Sequence, residues 1–157
     1  MKCVKKVVVD NTVANSVTYL DTSSAVLMSE QEFEPEGVMY TTHAMKDYEM
    51  KSNDVNFEVI GHVRTKSIQI PESVKRDLQH AYTHTASDRK YEENLGRQGS
   101  LRNDMELMGQ VVTAAMFGDH VKLISDDGDI SKTLSYLFHM NNYEYLSDNV
   151  EIYQMRE

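Results

Sequence analysis

Apolar runs of strand length and apolar positions at helical spacing take turns along this chain, and the clearest strands end in acid. Val121-Lys122-Leu123-Ile124 stops abruptly at Ser125-Asp126-Asp127-Gly128-Asp129. Three anions within four residues repel one another unless solvent, a helix dipole or a cation answers them. A following helix, capped by Asp129 and carrying Ile130, Leu134, Leu137 and Phe138 on one face, leaves Asp126 and Asp127 surplus to a simple turn. Lys5-Lys6-Val7-Val8-Val9-Asp10 reads as a central strand buried on both faces, and it also ends in an acid. Asn11-Thr12 then caps a helix through Val13, Val17 and Leu20.

Between these two stretches the pattern varies in strength. Ala25-Val26-Leu27-Met28 suits a short strand or a helix start reaching Phe33, and Glu34-Pro35-Glu36-Gly37 breaks it. Val38-Met39-Tyr40-Thr41 predicts a second buried strand. It passes into a helix capped by Thr41 or Thr42, with Ala44, Met45 and Tyr48 as its apolar stripe and Asp47 and Glu49 beside it. Phe57, Val59 and Val63 alternate enough for a strand or hairpin over residues 54–70, bent at Gly61. Pro71 opens a helix with Val74, Leu78, Ala81 and Tyr82 inward. His80 and His84 on it have the spacing of two metal ligands, but no third ligand follows, so they read as packing or surface residues.

Residues 85–99 are polar and aperiodic, a long loop holding Arg89, Lys90 and Arg97. A helix follows with Met108, Val111, Val112 and Ala115 as its stripe and Gly118 as its stop. Asp104, four residues before Met108, lies on that buried stripe in the predicted first turn, where a carboxylate must be capped, paired or bound to metal. After a tyrosine-bearing link, Val150, Ile152 and Tyr153 predict a last strand at the sheet edge.

Alternating strands and helices predict an α/β fold, a three-layer α/β/α sandwich with a largely parallel central sheet. A length of 157 residues, 40% of them hydrophobic, suits a single domain spanning 1–157. In such sheets ligands bind beyond the carboxyl ends of the strands. That rule brings Asp10, Asp104, Asp47 or Glu49, and Ser125-Asp126-Asp127 to one edge.

Charge and cysteine usage narrow the chemistry. The net charge of −9 argues against coating nucleic acid by overall attraction. Lys75, Arg76, Arg89, Lys90, Arg97 and Arg102 nevertheless outnumber Asp77, Asp88, Glu92 and Glu93 in one stretch. Cys3 is the lone cysteine, which leaves no internal disulfide and no cysteine-rich metal site. No stretch approaches the roughly 20 apolar residues of a membrane span, and no signal-peptide core is visible, so a cytoplasmic protein is expected. Clustered carboxylates hold hard cations, Mg²⁺ or Mn²⁺. Two such ions activate water for phosphodiester hydrolysis, and the basic stretch would take the phosphates.

At these residues the chain resembles the PIN-domain nucleases: at Val7-Val8-Val9-Asp10-Asn11-Thr12, at Tyr40-Thr41-Thr42-His43-Ala44-Met45-Lys46-Asp47-Tyr48, at Leu101-Arg102-Asn103-Asp104, and at Leu123-Ile124-Ser125-Asp126-Asp127-Gly128-Asp129. The resemblance implies Mg²⁺- or Mn²⁺-dependent cleavage of single-stranded RNA by three to five acids, with water as nucleophile. It makes Asp10 the first metal ligand, Asp104 the third acid, Asp127 the fourth, Asp129 a fifth and Ser125 the orienting hydroxyl. Asp47 is the favoured second acid, with Glu49 next; Asn11, Thr12 and Asp126 are supporting positions, and Arg89, Lys90, Arg97 and Arg102 would bind substrate. The family usually has threonine then asparagine after its first acid, and here Asn11 precedes Thr12. Partners implied are RNA, a second copy of the chain, and an antitoxin or other regulatory protein. The alternative is a catalytically inactive PIN-like scaffold that binds RNA or protein. A response-receiver domain lacks its paired acids and late lysine here, and a calcium loop from Asp127 would place Phe138 where glutamate is needed.

Overall fold

The computed structural model describes residues 2–3, 16–85 and 98–156. Six strands form one sheet: β1 Lys2–Cys3, β2 Ser16–Leu20, β3 Met39–Thr41, β4 Val63–Thr65, β5 His120–Ile124 and β6 Val150–Gln154, in the order β1-β6-β5-β2-β3-β4. Every pairing is parallel. Helices connect the strands, as parallel pairing requires: α1 Thr22–Glu30, a π-helical segment Met45–Met50, α2 Phe57–Gly61, α3 Glu72–Thr85, α4 Gln98–Met116 and α5 Gly128–Phe138. A short 3₁₀ segment, Glu144–Asn149, leads into β6. The helices pack in two groups, α1 with the π segment and α2, and α3 with α4 and α5, an arrangement compatible with a three-layer sandwich. Among the described residues no helix is long and apolar enough to cross a membrane.

The core forms where the pattern is strongest. Val121, Leu123 and Ile124 of β5 and Val17, Tyr19 and Leu20 of β2 are buried together with Val111, Val112 and Ala115 of α4 and Ile130, Leu134 and Leu137 of α5. Helix α3 buries Val74, Leu78, Ala81 and Tyr82, the four residues its spacing selects. Gly118, at φ 97°, follows α4 in a backbone conformation that side chains rarely adopt. Gly109 lets α4 lie against the segment after β4, since a Cβ there would come within 2.6 Å of Ile70 Cδ1. Gln110 Nε2 donates to Lys66 O at 3.0 Å beside it.

Several expectations are corrected. Residues 16–20 are strand, not the continuation of a helix begun at Asn11. Ser16 to Leu20 pairs residue by residue with His120 to Ile124, and Tyr19 pairs with Tyr40 on the other side. Sheet pairing on both flanks overrides the helical spacing of Val13, Val17 and Leu20. The strand expected over residues 5–10 lies outside the described residues, as do Asn11 and Thr12. Of the two readings of residues 25–28 the helix holds, and Asp21 caps it by accepting from Ser24 N at 2.8 Å. The stretch 54–70 is not a hairpin: Asn56 caps the short α2, and only Val63–Thr65 is strand. Helix α4 begins at Gln98, so Asp104 sits in its second turn. Strand β6 lies inside the sheet, because β1 pairs beyond it.

Candidate functional site

The site lies where the sheet changes its winding direction. From β2 the chain runs outward through β3 to β4, then returns to the other flank of β2 as β5. Ligand crevices of open α/β sheets form at such a switch point, beyond the strand carboxyl ends. Leu20 pairs with Ile124, so the next residues, Asp21 and Ser125, leave the sheet side by side.

Asp21 is almost fully buried, at 4% exposure. Its Oδ1 accepts from Ser24 N at 2.8 Å, and its Oδ2 accepts the Ser125 hydroxyl at 2.6 Å. Burial pushes its carboxyl up to about 6; the hydrogen bonds from Ser125 and Ser24 oppose the rise, and the nearby Asp127 charge adds to it. Ser125 is a hub, since its Oγ also accepts from Asp127 N at 3.2 Å. Asp127 in turn caps α5 by accepting from Asp129 N at 2.8 Å. The expected cap at Asp129 is thus corrected by two residues, and Asp129 stands in the first turn, where the helix dipole favours an anion.

Asp104, half-buried on α4, lies near enough to the other acids to feel their charges. Burial raises its carboxyl to about 8, and the charges of Asp127, Asp21, Glu49 and Asp129 all push in the same direction. Five carboxyl groups from distant parts of the chain therefore share one electrostatic environment at one sheet edge.

Of the two candidates for the second acid, Glu49 lies beside the cluster and Asp47 stands at its rim. Glu49 Oε2 accepts the Thr22 hydroxyl at 2.9 Å, one residue from Asp21. Asp47 faces outward, 3.9 Å from His43 Nδ1. The reason is the wide turn over Met45–Met50. Met45 and Met50 are both buried, five residues apart, although in an α-helix of 3.6 residues per turn they would diverge by about 140°. The expanded turn rotates Glu49 inward and Tyr48 outward; the expected stripe residue Tyr48 is 74% exposed. Thr42 starts this helix as expected, accepting from Met45 N at 3.2 Å.

Asp126 is turned away from the cluster. Its Oδ1 accepts from Met155 N at 2.5 Å and its Oδ2 from Arg156 N at 2.9 Å. Arg102 is exposed on α4. Asp10, Asn11, Thr12, Arg89, Lys90 and Arg97 lie outside the described residues. The His80 and His84 rings lie tilted against each other with centroids 4.2 Å apart, and His84 stacks on Tyr136 at 5.4 Å, which is packing rather than ligation.

Asp21, Thr22 and Ser24 are not among the residues expected from the sequence. A signal exists: Val17-Thr18-Tyr19-Leu20-Asp21-Thr22 is a strand-length run followed by an acid and then a hydroxyl, as residues 121–127 are a run followed by a hydroxyl and then acids. Thr18 and Tyr19 disguise it by placing polar atoms in a buried strand; among the described residues Thr18 Oγ1 and Tyr19 Oη have no partner.

The donor set is all oxygen, which suits a hard divalent cation and not a thiolate or imidazole metal. Among the described residues no three His, Cys, Asp or Glu side chains converge on a common point. No family model, curated protein or solved structure matches this chain.

Proposed function

We propose that this chain is a PIN-like, metal-dependent nuclease that hydrolyses phosphodiester bonds of single-stranded RNA. The observation that carries the reading is the buried Asp21 carboxyl, bonded by Ser125 beside Asp127 at the switch point of a parallel sheet, with Asp104 near enough to feel both charges. Asp21, Asp104 and Asp127 would hold Mg²⁺ or Mn²⁺, with Glu49 and Asp129 completing the anionic wall. Such an ion, when bound, acidifies a water and neutralises charge on the phosphate. The protein's own part is positional. Ser125 fixes Asp21 through its hydroxyl and Asp127 through its backbone, while Thr22 fixes Glu49. Asp21 and Asp104 must give up protons that burial favours, so the site is poised to exchange protons for a cation. Asp21-Thr22 also supplies the acid-then-threonine order that Asp10-Asn11 lacks.

The test is cleavage of a single-stranded RNA with Mg²⁺ or Mn²⁺ by wild type, Asp21→Asn and Asp104→Asn. The reading requires metal-dependent cleavage that both variants lose; equal cleavage by all three ends it. The absence, among the described residues, of three converged ligands favours a second reading, an inactive PIN-like scaffold that binds RNA or protein. RNA binding that persists in chelator without any product selects that alternative.

A further inference from the structure

Asp126 interrupts a row of acids without joining them, and its partners explain why. Strand β6 runs parallel to β5, pairing Ile124 with Tyr153, and Ser125 N still donates to Tyr153 O at 2.8 Å. Beyond that point the ladder would end. Asp126 continues it with a side chain: one carboxylate oxygen takes Met155 N at 2.5 Å, the other Arg156 N at 2.9 Å. A carboxylate accepting two successive backbone N–H groups is a charge-assisted, two-point clamp. Met155 is itself anchored in the core at 3% exposure, so the clamp ties the loop to a fixed object. The loop so tied is the one in which Ser125 orients Asp21, Asp127 caps α5 and Asp129 follows.

We infer that Asp126 is a positioning residue that holds the Ser125–Asp129 loop against the end of β6, setting the separation of Asp127 from Asp21. This rests on the metal-site reading for its effect on ions, while the clamp itself can be read without any metal. Outer partners of metal-binding carboxylates commonly change affinity by about 10–100-fold.

The experiment compares wild type, Asp126→Ala, Asp126→Asn, Arg156→Pro and the double variant Asp126→Ala/Arg156→Pro. Arg156→Pro removes one donor N–H at an exposed position and leaves Met155 in place. Two quantities are measured: Mn²⁺ affinity by calorimetry, and amide hydrogen exchange of residues 125–129 in chelator. Asp126→Ala and Arg156→Pro should each weaken Mn²⁺ binding about tenfold and speed exchange at Asp127 and Asp129. The double variant should be no worse than Asp126→Ala alone, because both changes break one clamp. Asp126→Asn, which keeps a carbonyl acceptor for one N–H, should lie between wild type and Asp126→Ala.

If Asp126→Asn is as damaging as Asp126→Ala while Arg156→Pro behaves as wild type, Asp126 is an ion ligand and the inference is overturned. A wild type with no Mn²⁺ affinity sinks the metal reading instead. Exchange then decides the clamp alone: faster loop exchange in Asp126→Ala upholds it, and unchanged exchange overturns it.

Discussion

Ser125 donates its hydroxyl to Asp21 Oδ2 over 2.6 Å, joining residues 104 positions apart. The bond exists because Leu20 and Ile124 are paired at the ends of adjacent central strands. It holds a nearly buried carboxylate in one orientation, and around it the other acids are arranged.

Ser125→Ala leaves Asp21 Oδ2 without its donor in a buried place. Leaving such an acceptor unmet costs about 1–3 kcal/mol, so the melting temperature should fall measurably. Divalent-ion affinity should drop about tenfold, as for other supporting partners of metal ligands. Calorimetric titration with Mn²⁺ beside a thermal melt checks both. If neither value changes, Ser125 does not orient Asp21.

Stability without metal should decline as pH rises. Asp21 and Asp104 have carboxyls raised to about 6 and about 8, above their ordinary value near 4. The folded state therefore binds protons that the unfolded chain releases. That contribution is fully present below pH about 4 and is lost as pH passes through about 6 and then about 8. Thermal melts in chelator should show a loss on the order of a few kcal/mol across this window. Mn²⁺ should restore stability at the alkaline end, and a stability that rises with pH in chelator would contradict the assignment.

Asp104→Asn should separate stability from function. Replacing one of five mutually repelling acids should raise the metal-free melting temperature near pH 8 and flatten the upper part of the pH dependence. The same change should abolish metal-dependent cleavage. A variant that is less stable in chelator than wild type would show that Asp104 is held by favourable partners.

Glu49→Gln and Asp47→Asn test the rotated helix. Glu49 meets Thr22 beside the cluster, whereas Asp47 lies next to the rim histidine His43. Cleavage should fall about 10–100-fold for Glu49→Gln and stay within about twofold for Asp47→Asn. Deleting Lys46 should convert the wide turn into an α-helical one, turn Glu49 out of the site and reproduce the Glu49→Gln defect. Equal losses at positions 47 and 49 would argue that the helix keeps ordinary phase.

Legibility in the sequence follows what each residue's neighbours contribute. Helix α3 is readable in full because Val74, Leu78, Ala81 and Tyr82 obey one local period. Asp104 is readable as an inward carboxylate because Met108 lies one turn after it. Strand β2 is not, since Val17 and Leu20 also fit a helix, and pairing with β5 and β3 on its two flanks is what decides it. Asp126 and Asp127 look equally surplus; the donors of Met155 and Arg156, far along the chain, separate them.

The residues themselves determined an acidic α/β chain with carboxylates gathered just after the run 121–124, because apolar period and side-chain charge are local properties. Tertiary structure alone decided which carboxylates lie near one another. It set Asp21 at the end of a central strand by pairing β2 between β5 and β3, and it placed Glu49 beside Thr22 while leaving Asp47 at the rim. Strand register and helix phase are set by packing against distant partners, and no local pattern carries that information.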